Sequence, residues 1–241
     1  MIDYKICSEI GSRKKNEDSA ALLRKGEIFC FALADGLGGH GGGAEASRTV
    51  IRQVFDTFKE MEEVSEKSLI RCFEESQNTL LRLQEERRMK WKMKFTLTIW
   101  IADRDRALWG HVGDSRIYRF RNGRYVSRTK DHSVPEMLVA AGEITEDEIR
   151  GHVDRNRLLR AMGVKWDRPA YTIEPEISLI KGDAFLLCSD GFWELILEEQ
   201  MEEALQITET AEEWLEEMKA EVLKNGCGKE MDNFSAICIR I

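Results

Sequence analysis

The sequence predicts an α+β fold built on antiparallel sheets, and three observations carry that expectation. Short apolar runs come in blocks instead of alternating one-for-one with helices as a parallel β-α-β chain would. Between the blocks lie long stretches whose apolar residues recur at helical spacing. Only three prolines and no Gly/Ser-rich linker interrupt 241 residues, so residues 1–241 read as a single domain with a sizeable core.

Taken in order, the strand-like runs are Tyr4–Cys7, Ile28–Ala34, Phe95–Ala102, Ala107–Val112, Ile117–Arg121, Ala184–Cys188 and Phe234–Ile241. Ile28–Ala34 and Ala184–Cys188 are continuously apolar, as strands covered on both faces are. Phe234–Ile241 alternates loosely, which suits one wetter face. From Ala44 to Met61, Val50, Ile51, Val54, Phe55, Phe58 and Met61 fall on one helical stripe, and Leu69, Phe73, Leu80 and Leu83 do so from Ser68 to about Arg88. A third helix, Ala211–Leu223, starts behind Thr210 with Glu213 three residues on, a capping-box spacing, and Asn225-Gly226 is its expected end. The basic run Arg82–Lys94 and the Glu-rich run Glu194–Glu221 read as solvated helix faces.

Charge excludes some functions. Forty-four acidic residues against 36 basic ones give a net charge of −8, which argues against a nucleic-acid partner. The stretch Met1–Glu17 is polar and charged, unlike a targeting peptide. No apolar run approaches the roughly 18 residues of a membrane span. A cytoplasmic protein without a membrane partner is therefore expected. Six cysteines show no C-x-x-C pair, and they read as free thiols.

The aspartates are placed unusually. Ile28–Ala34 delivers Asp35-Gly36, and Ala184–Cys188 followed by Ser189 delivers Asp190-Gly191. Ala107–Val112 ends in Gly113-Asp114-Ser115-Arg116, Asp232-Asn233 precedes the last strand, and Asn16-Glu17-Asp18 adds carboxylates early. A single Asp-Gly is also a favoured hairpin turn. Several ionised carboxylates at strand rims that converge on one cleft would instead repel one another. A hard divalent cation relieves that repulsion, and carboxylates, carbonyls and water are the ligands Mg²⁺ and Mn²⁺ prefer. The glycine-dense stretch Gly38–Gly43 after Asp35 permits tight turning near such a site, but no G-K-[ST] follows to make it a Walker loop. A cysteine nucleophile of the C-x5-R type is absent: Cys7 has Ser12 at +5 and Arg13 at +6.

These motifs are similar, in order and spacing, to those of one family. Arg13-Lys14-Lys15-Asn16-Glu17-Asp18, Ala34-Asp35-Gly36-Leu37-Gly38-Gly39-His40, His111-Val112-Gly113-Asp114-Ser115-Arg116, Asp131-His132-Ser133, Ser189-Asp190-Gly191 and Asp232-Asn233 run from end to end. Together the chain resembles the metal-dependent protein phosphatases, the type 2C Ser/Thr class, and most of all their single-domain bacterial members.

The resemblance implies a four-layer α-β-β-α sandwich with metals at one end of two antiparallel sheets. It implies two Mn²⁺ or Mg²⁺ ions and a weaker third. Asp35 matches the carboxylate bridging both ions, with the Gly36 carbonyl beside it; Asp18, Asp190 and Asp232 match further metal ligands. Arg13 matches the catalytic, phosphate-gripping arginine. Glu17 and Asn233 match supporting positions, and Asp114 the third-metal site. The implied reaction is hydrolysis of phosphoserine and phosphothreonine by a metal-activated water. Implied partners are phosphorylated Ser/Thr proteins that are targets of a cognate kinase, met by a monomer. The alternative on the same fold is a catalytically silent module that binds a kinase or phosphoprotein. Residues 142–169 correspond to the family's variable flap. Two departures stand out. Leu37 replaces the histidine many eukaryotic members carry, leaving His40, at a different offset, as the weakest candidate for proton donor; and Lys94-Phe95-Thr96 stands where a Gly-Thr-Thr turn is usual.

Overall fold

A computed structural model describes residues 2–37, 42–89 and 93–241. Five strands form one sheet in the order β1 (Asp3–Glu9), β11 (Phe234–Arg240), β10 (Asp183–Cys188), β6 (Arg116–Arg121) and β7 (Arg124–Arg128). The second sheet runs β2 (Ser19–Lys25), β3 (Ile28–Leu37), β4 (Lys94–Ala102), β5 (Arg106–Val112) and β8 (Thr172–Ile173), with β9 (Ile177–Ser178) also on β5. Every pairing is antiparallel. The α+β expectation is met.

Helices cover both outer faces. α1 (Gly43–Lys59) and α2 (Glu66–Glu86) lie on the second sheet, where Val50, Val54, Phe58, Leu69, Phe73 and Leu80 join Cys30, Ala32 and Ile99 in one core. α5 (Glu198–Ile207) and α6 (Ala211–Gly226) cover the first, with Met201, Trp214, Leu215 and Met218 against Leu186, Cys188 and Ala236. A third core lies between the sheets, where Phe29, Phe31 and Trp100 meet Phe185, Ile237 and Ile239. Residues of β3 alternate between two cores: Cys30, Ala32 and Ala34 face the helices, and Phe29, Phe31 and Leu33 face the other sheet. That is why the run is apolar throughout. The four layers are thus helix, sheet, sheet, helix. No described helix is long and apolar enough to cross a membrane.

Several boundaries move. β3 does not stop at Ala34 but runs on through Leu37, because Asp35 and Gly36 keep their register with Thr96 and Phe95. Asp190-Gly191 is no hairpin turn: it opens the short helix α4 (Asp190–Trp193). Thr210 caps α6 as expected, its hydroxyl accepting from the Glu213 amide at 3.1 Å, but the helix continues through Gly226. β2, β7, β8, β9, α3 (Val134–Ala140) and α5 extend the expected set. The Glu-rich run holds α5 and most of α6, both of which bury one face. Among the described cysteines all are free; Cys30, Cys72, Cys188 and Cys238 are buried and Cys227 is exposed.

Candidate metal centre

The loop after β1, the segment before β11 and the ends of β3, β5 and β10 meet at one pole of the sheets. β1 pairs with β11 from Asp3–Arg240 to Glu9–Phe234, which carries the loop after β1 to the segment just before β11. Asn233 fastens them. Its side-chain oxygen accepts from the Glu17 amide at 2.8 Å, and its nitrogen donates to the carbonyls of Ile10 at 2.8 Å and Lys15 at 3.0 Å. Asn16 shapes the same loop, its Oδ1 accepting from the Asp18 amide at 3.0 Å, a local Asx turn.

β10 supplies Asp190 at its exit. The approach to Asn233 is so close that a Cβ at Gly191 would lie 2.1 Å from the Asn233 carbonyl oxygen, so only glycine fits there. Asp114 follows β5, and the Trp193 indole of α4 holds its carbonyl with a 2.9 Å hydrogen bond. Trp193 in turn lies under the Arg116 guanidinium at 3.5 Å, and Arg116 is clamped by Asp131 through two bonds of 2.9 and 2.7 Å in full burial. Thr96 and Ser115 share a hydroxyl contact at 2.5 Å, tying the strand beside Asp35 to the loop of Asp114.

The result is a pocket of about 450 Å³ lined by Arg13, Lys14, Lys15, Glu17, Asp35, Gly36, Leu37, Asp114, Asn156, Asp190, Asp232 and Asn233. Asp18 lies behind it, buried, with Oδ2 accepting from the Ser189 hydroxyl at 2.9 Å. Of the residues singled out in sequence, only His40 is missing from this account, since it falls outside the described residues. The Gly38–Gly43 loop is likewise described only from Gly42 onward.

Electrostatics shows that the carboxylates face one another. Burial, then Asp18, Asp190 and Asp114, hold Asp35 well above the usual carboxylate range. Asp114 is held up by burial and by Asp190. Asp190 is raised by burial and Asp232, and burial pushes Asp18 up to about 6. A protein does not gather four mutually repelling acids without a compensating charge. Two of their oxygens, Oδ1 of Asp18 and Oδ1 of Asp114, are buried without a hydrogen-bond partner among the described residues. Hard oxygen donors with vacant lone pairs fit a divalent cation of the Mg²⁺ or Mn²⁺ kind.

Among the described residues no three His, Cys, Asp or Glu side chains are drawn into a finished metal cage. Two of the carboxylates are engaged by other groups. Asp232 turns its Oδ2 to Arg13 Nη2 at 2.6 Å, and Asp190 turns Oδ1 to the Gly191 amide at 2.6 Å. The Asp232 pair is exposed, 59% for the arginine side chain and 44% for the carboxylate, so little holds it closed.

The sequence motifs contain Ser189, His111 and His132 without assigning them a role, and they do not reach Trp193; the rings of His111 and His132 stack 4.4 Å apart behind the Asp114 loop. Trp193 carried a readable signal, three residues after Asp190 on what proves to be one helical turn.

The fold and this acid-lined pole define an α-β-β-α protein whose carboxylates sit at one end of paired antiparallel sheets. The family model for protein phosphatase 2C matches residues 8–234, and the chain belongs to that family. The serine/threonine phosphatase stp of Listeria innocua is 31% identical over 237 residues, covering 94% of this chain and 90% of that protein. The crystal structure of the Mycobacterium tuberculosis serine/threonine phosphatase PstP/Ppp superposes with a TM-score of 0.85 at 30% identity, over 100% of this chain and 98% of the other. A structure of the PstP catalytic domain in complex with two manganese ions matches with a TM-score of 0.83 at 29% identity, over 99% and 97%.

Proposed function

We propose that this chain is a Mn²⁺- or Mg²⁺-dependent protein phosphatase that hydrolyses phosphoserine and phosphothreonine, acting as one catalytic domain with residues 142–169 as a flap. The observation that carries the reading is the crowding of Asp18, Asp35, Asp114 and Asp190 around one pocket, two of their buried oxygens left without partners. The manganese-bound PstP relative supports it.

In this reading Asp35, Asp18, Asp190, Asp232 and the Gly36 carbonyl hold two cations, and Asp114 supports a weaker third. When bound, such ions stabilise phosphoryl charge and lower the pKa of a water. The chain's own residues do the rest. Arg13 grips the phosphate, its guanidinium suited to two oxygens at once. Asn233 and the Arg116–Trp193 stack keep their carboxylates in place. Glu17 lies against the start of α1 next to Gly43, where helix amides favour a negative charge. The buried Cys30, Cys188 and Cys238 thiols, all pushed upward by burial, are too poorly ionised to serve as nucleophiles. Phosphorylated proteins made by a cognate Ser/Thr kinase are the proposed substrates, met in the cytoplasm by a monomer. A silent binding module is not favoured, because every carboxylate of the pocket is retained.

Purified protein should release phosphate from phosphoserine and phosphothreonine peptides with Mn²⁺, more slowly from phosphotyrosine peptides, and not in excess EDTA. Undiminished turnover in EDTA, or none with any metal, overturns the proposal.

A further inference from the structure

A second cavity adjoins the acid-lined pocket and shares Leu37 and Asn156 with it. It is a groove of about 710 Å³ along residues 158–170. Its lining carries Lys94, Arg160, Lys165 and Arg168 against a single acidic residue, Asp167. That is an inversion for a chain of net charge −8. Arg160, Lys165 and Arg168 are exposed, and among the described residues none of the three is paired with a carboxylate. Elsewhere the arginines mostly are: Arg71, Arg87, Arg104, Arg106, Arg121 and Arg124 all reach one. Three exposed cations, Arg160, Lys165 and Arg168, on one rim favour an anion there.

The groove is also built in advance. Two buried glutamines of α2 pin its floor: Gln84 donates to the carbonyls of Met93 at 2.7 Å and Gly163 at 2.8 Å. Gln77 donates to the Val164 carbonyl at 2.6 Å and accepts from the Gly163 amide at 2.8 Å. Gly163 sits at φ +80°, and a Cβ there would lie 2.3 Å from the Met93 carbonyl oxygen. Trp166 is held by its own indole bond to the Ala161 carbonyl at 3.1 Å. A rigid floor under Arg160, Lys165 and Arg168 loses little entropy on binding.

Resting on the phosphatase reading above, we propose that this groove takes the segment of a substrate protein adjoining its phosphorylated residue, and that it selects segments rich in Asp and Glu. Arg160, Lys165 and Arg168 are the specificity determinants. Leu159, exposed on the same wall, offers one apolar contact.

The test compares two phosphothreonine peptides alike except that one carries Asp and Glu, the other Ser and Gln, around the phosphothreonine. The wild type should show a kcat/KM ratio favouring the acidic peptide by about tenfold, as three rim charge contacts allow. The ratio should collapse toward one in R160E/K165E/R168E and in 0.5 M salt. A wild-type ratio near one, or one unmoved by the triple variant, overturns the proposal. Circular dichroism checks that the variant folds. Should the wild type hydrolyse neither peptide nor p-nitrophenyl phosphate, the phosphatase reading fails on its own. Fluorescence polarisation of the labelled acidic peptide then decides the groove: binding lost in the triple variant sustains it, and no binding to the wild type overturns it.

Discussion

Arg13 Nη2 donates to Asp232 Oδ2 at 2.6 Å, so the arginine matched to phosphate and a carboxylate matched to metal occupy each other. Removing the arginine should therefore have two opposite effects. In Arg13→Ala, kcat/KM for a phosphopeptide should fall by about 100-fold, the loss of a charge-assisted double contact. Mn²⁺ affinity should rise, since Asp232 is released. Calorimetric titration and steady-state kinetics read the two separately. Stability should change by less than about 1 kcal/mol, because the pair is exposed. Weaker Mn²⁺ binding in the variant would show that the pair holds the site together instead.

Asp35→Asn should abolish Mn²⁺-dependent hydrolysis of p-nitrophenyl phosphate, and Asp190→Asn likewise. The ion-free variant should nevertheless melt higher than the ion-free wild type, by on the order of 3 °C, because a neutral isostere relieves the burial of charge and the repulsion from Asp18, Asp190 and Asp114 that together raise Asp35. Mn²⁺ should raise the melting temperature of the wild type and leave the variant's unmoved. A wild type indifferent to Mn²⁺ in a thermal scan contradicts the ligand assignment.

Asn233→Ala strips one acceptor and two donors from the loop after β1. Urea unfolding should show a loss of about 2–4 kcal/mol, the penalty for leaving such partly buried groups unpaired. Mn²⁺ affinity should drop about tenfold or more, as when ligand-supporting contacts are cut. Native stability in this variant would mean the loop is held by other contacts.

Acid should destabilise the fold through the stacked histidines. Burial pushes His111 down to about 4 and His132 down to about 2 from an unfolded value near 6.5. Both are neutral in the fold, so the unfolded chain binds more protons below pH 6.5. Stability is therefore intact above that value and lost as pH falls toward 4. Between pH 7 and pH 5 the pair should account for on the order of 4 kcal/mol. Replacing His111 by Asn should flatten the dependence of unfolding free energy on pH across that window; an unchanged slope would exonerate the pair.

Sequence patterning made the core strands and the two long helices legible because their apolar residues obey one period each. Cys30, Ala32 and Ala34 face one core while Phe29, Phe31 and Leu33 face another, and a continuous run announces that double burial. The edges were less legible. β7 is polar and largely exposed, so its pairing with β6 follows from neighbours and not from its own pattern. β2 mixes small and charged residues and is only half-buried. At the site, the acids were readable through their positions after apolar runs and through resemblance. What holds them was not. The Asn233 clamp spans 216 residues to Glu17, and the Trp193 bond spans 79 to Asp114. The pairing of Asp232 with Arg13 also depends on side-chain direction, which spacing does not encode.

β11 lies between β1 and β10 and brings in the segment that carries Asp232 and Asn233. A ribosome extends the chain from its N-terminus, so Arg13, Glu17 and Asp18 emerge long before the strand that completes their pocket. Until that strand inserts between β1 and β10, the loop after β1 lacks the Asn233 bonds to Ile10, Lys15 and Glu17 that shape it, so on the proposed reading the centre forms only after β11 is in place.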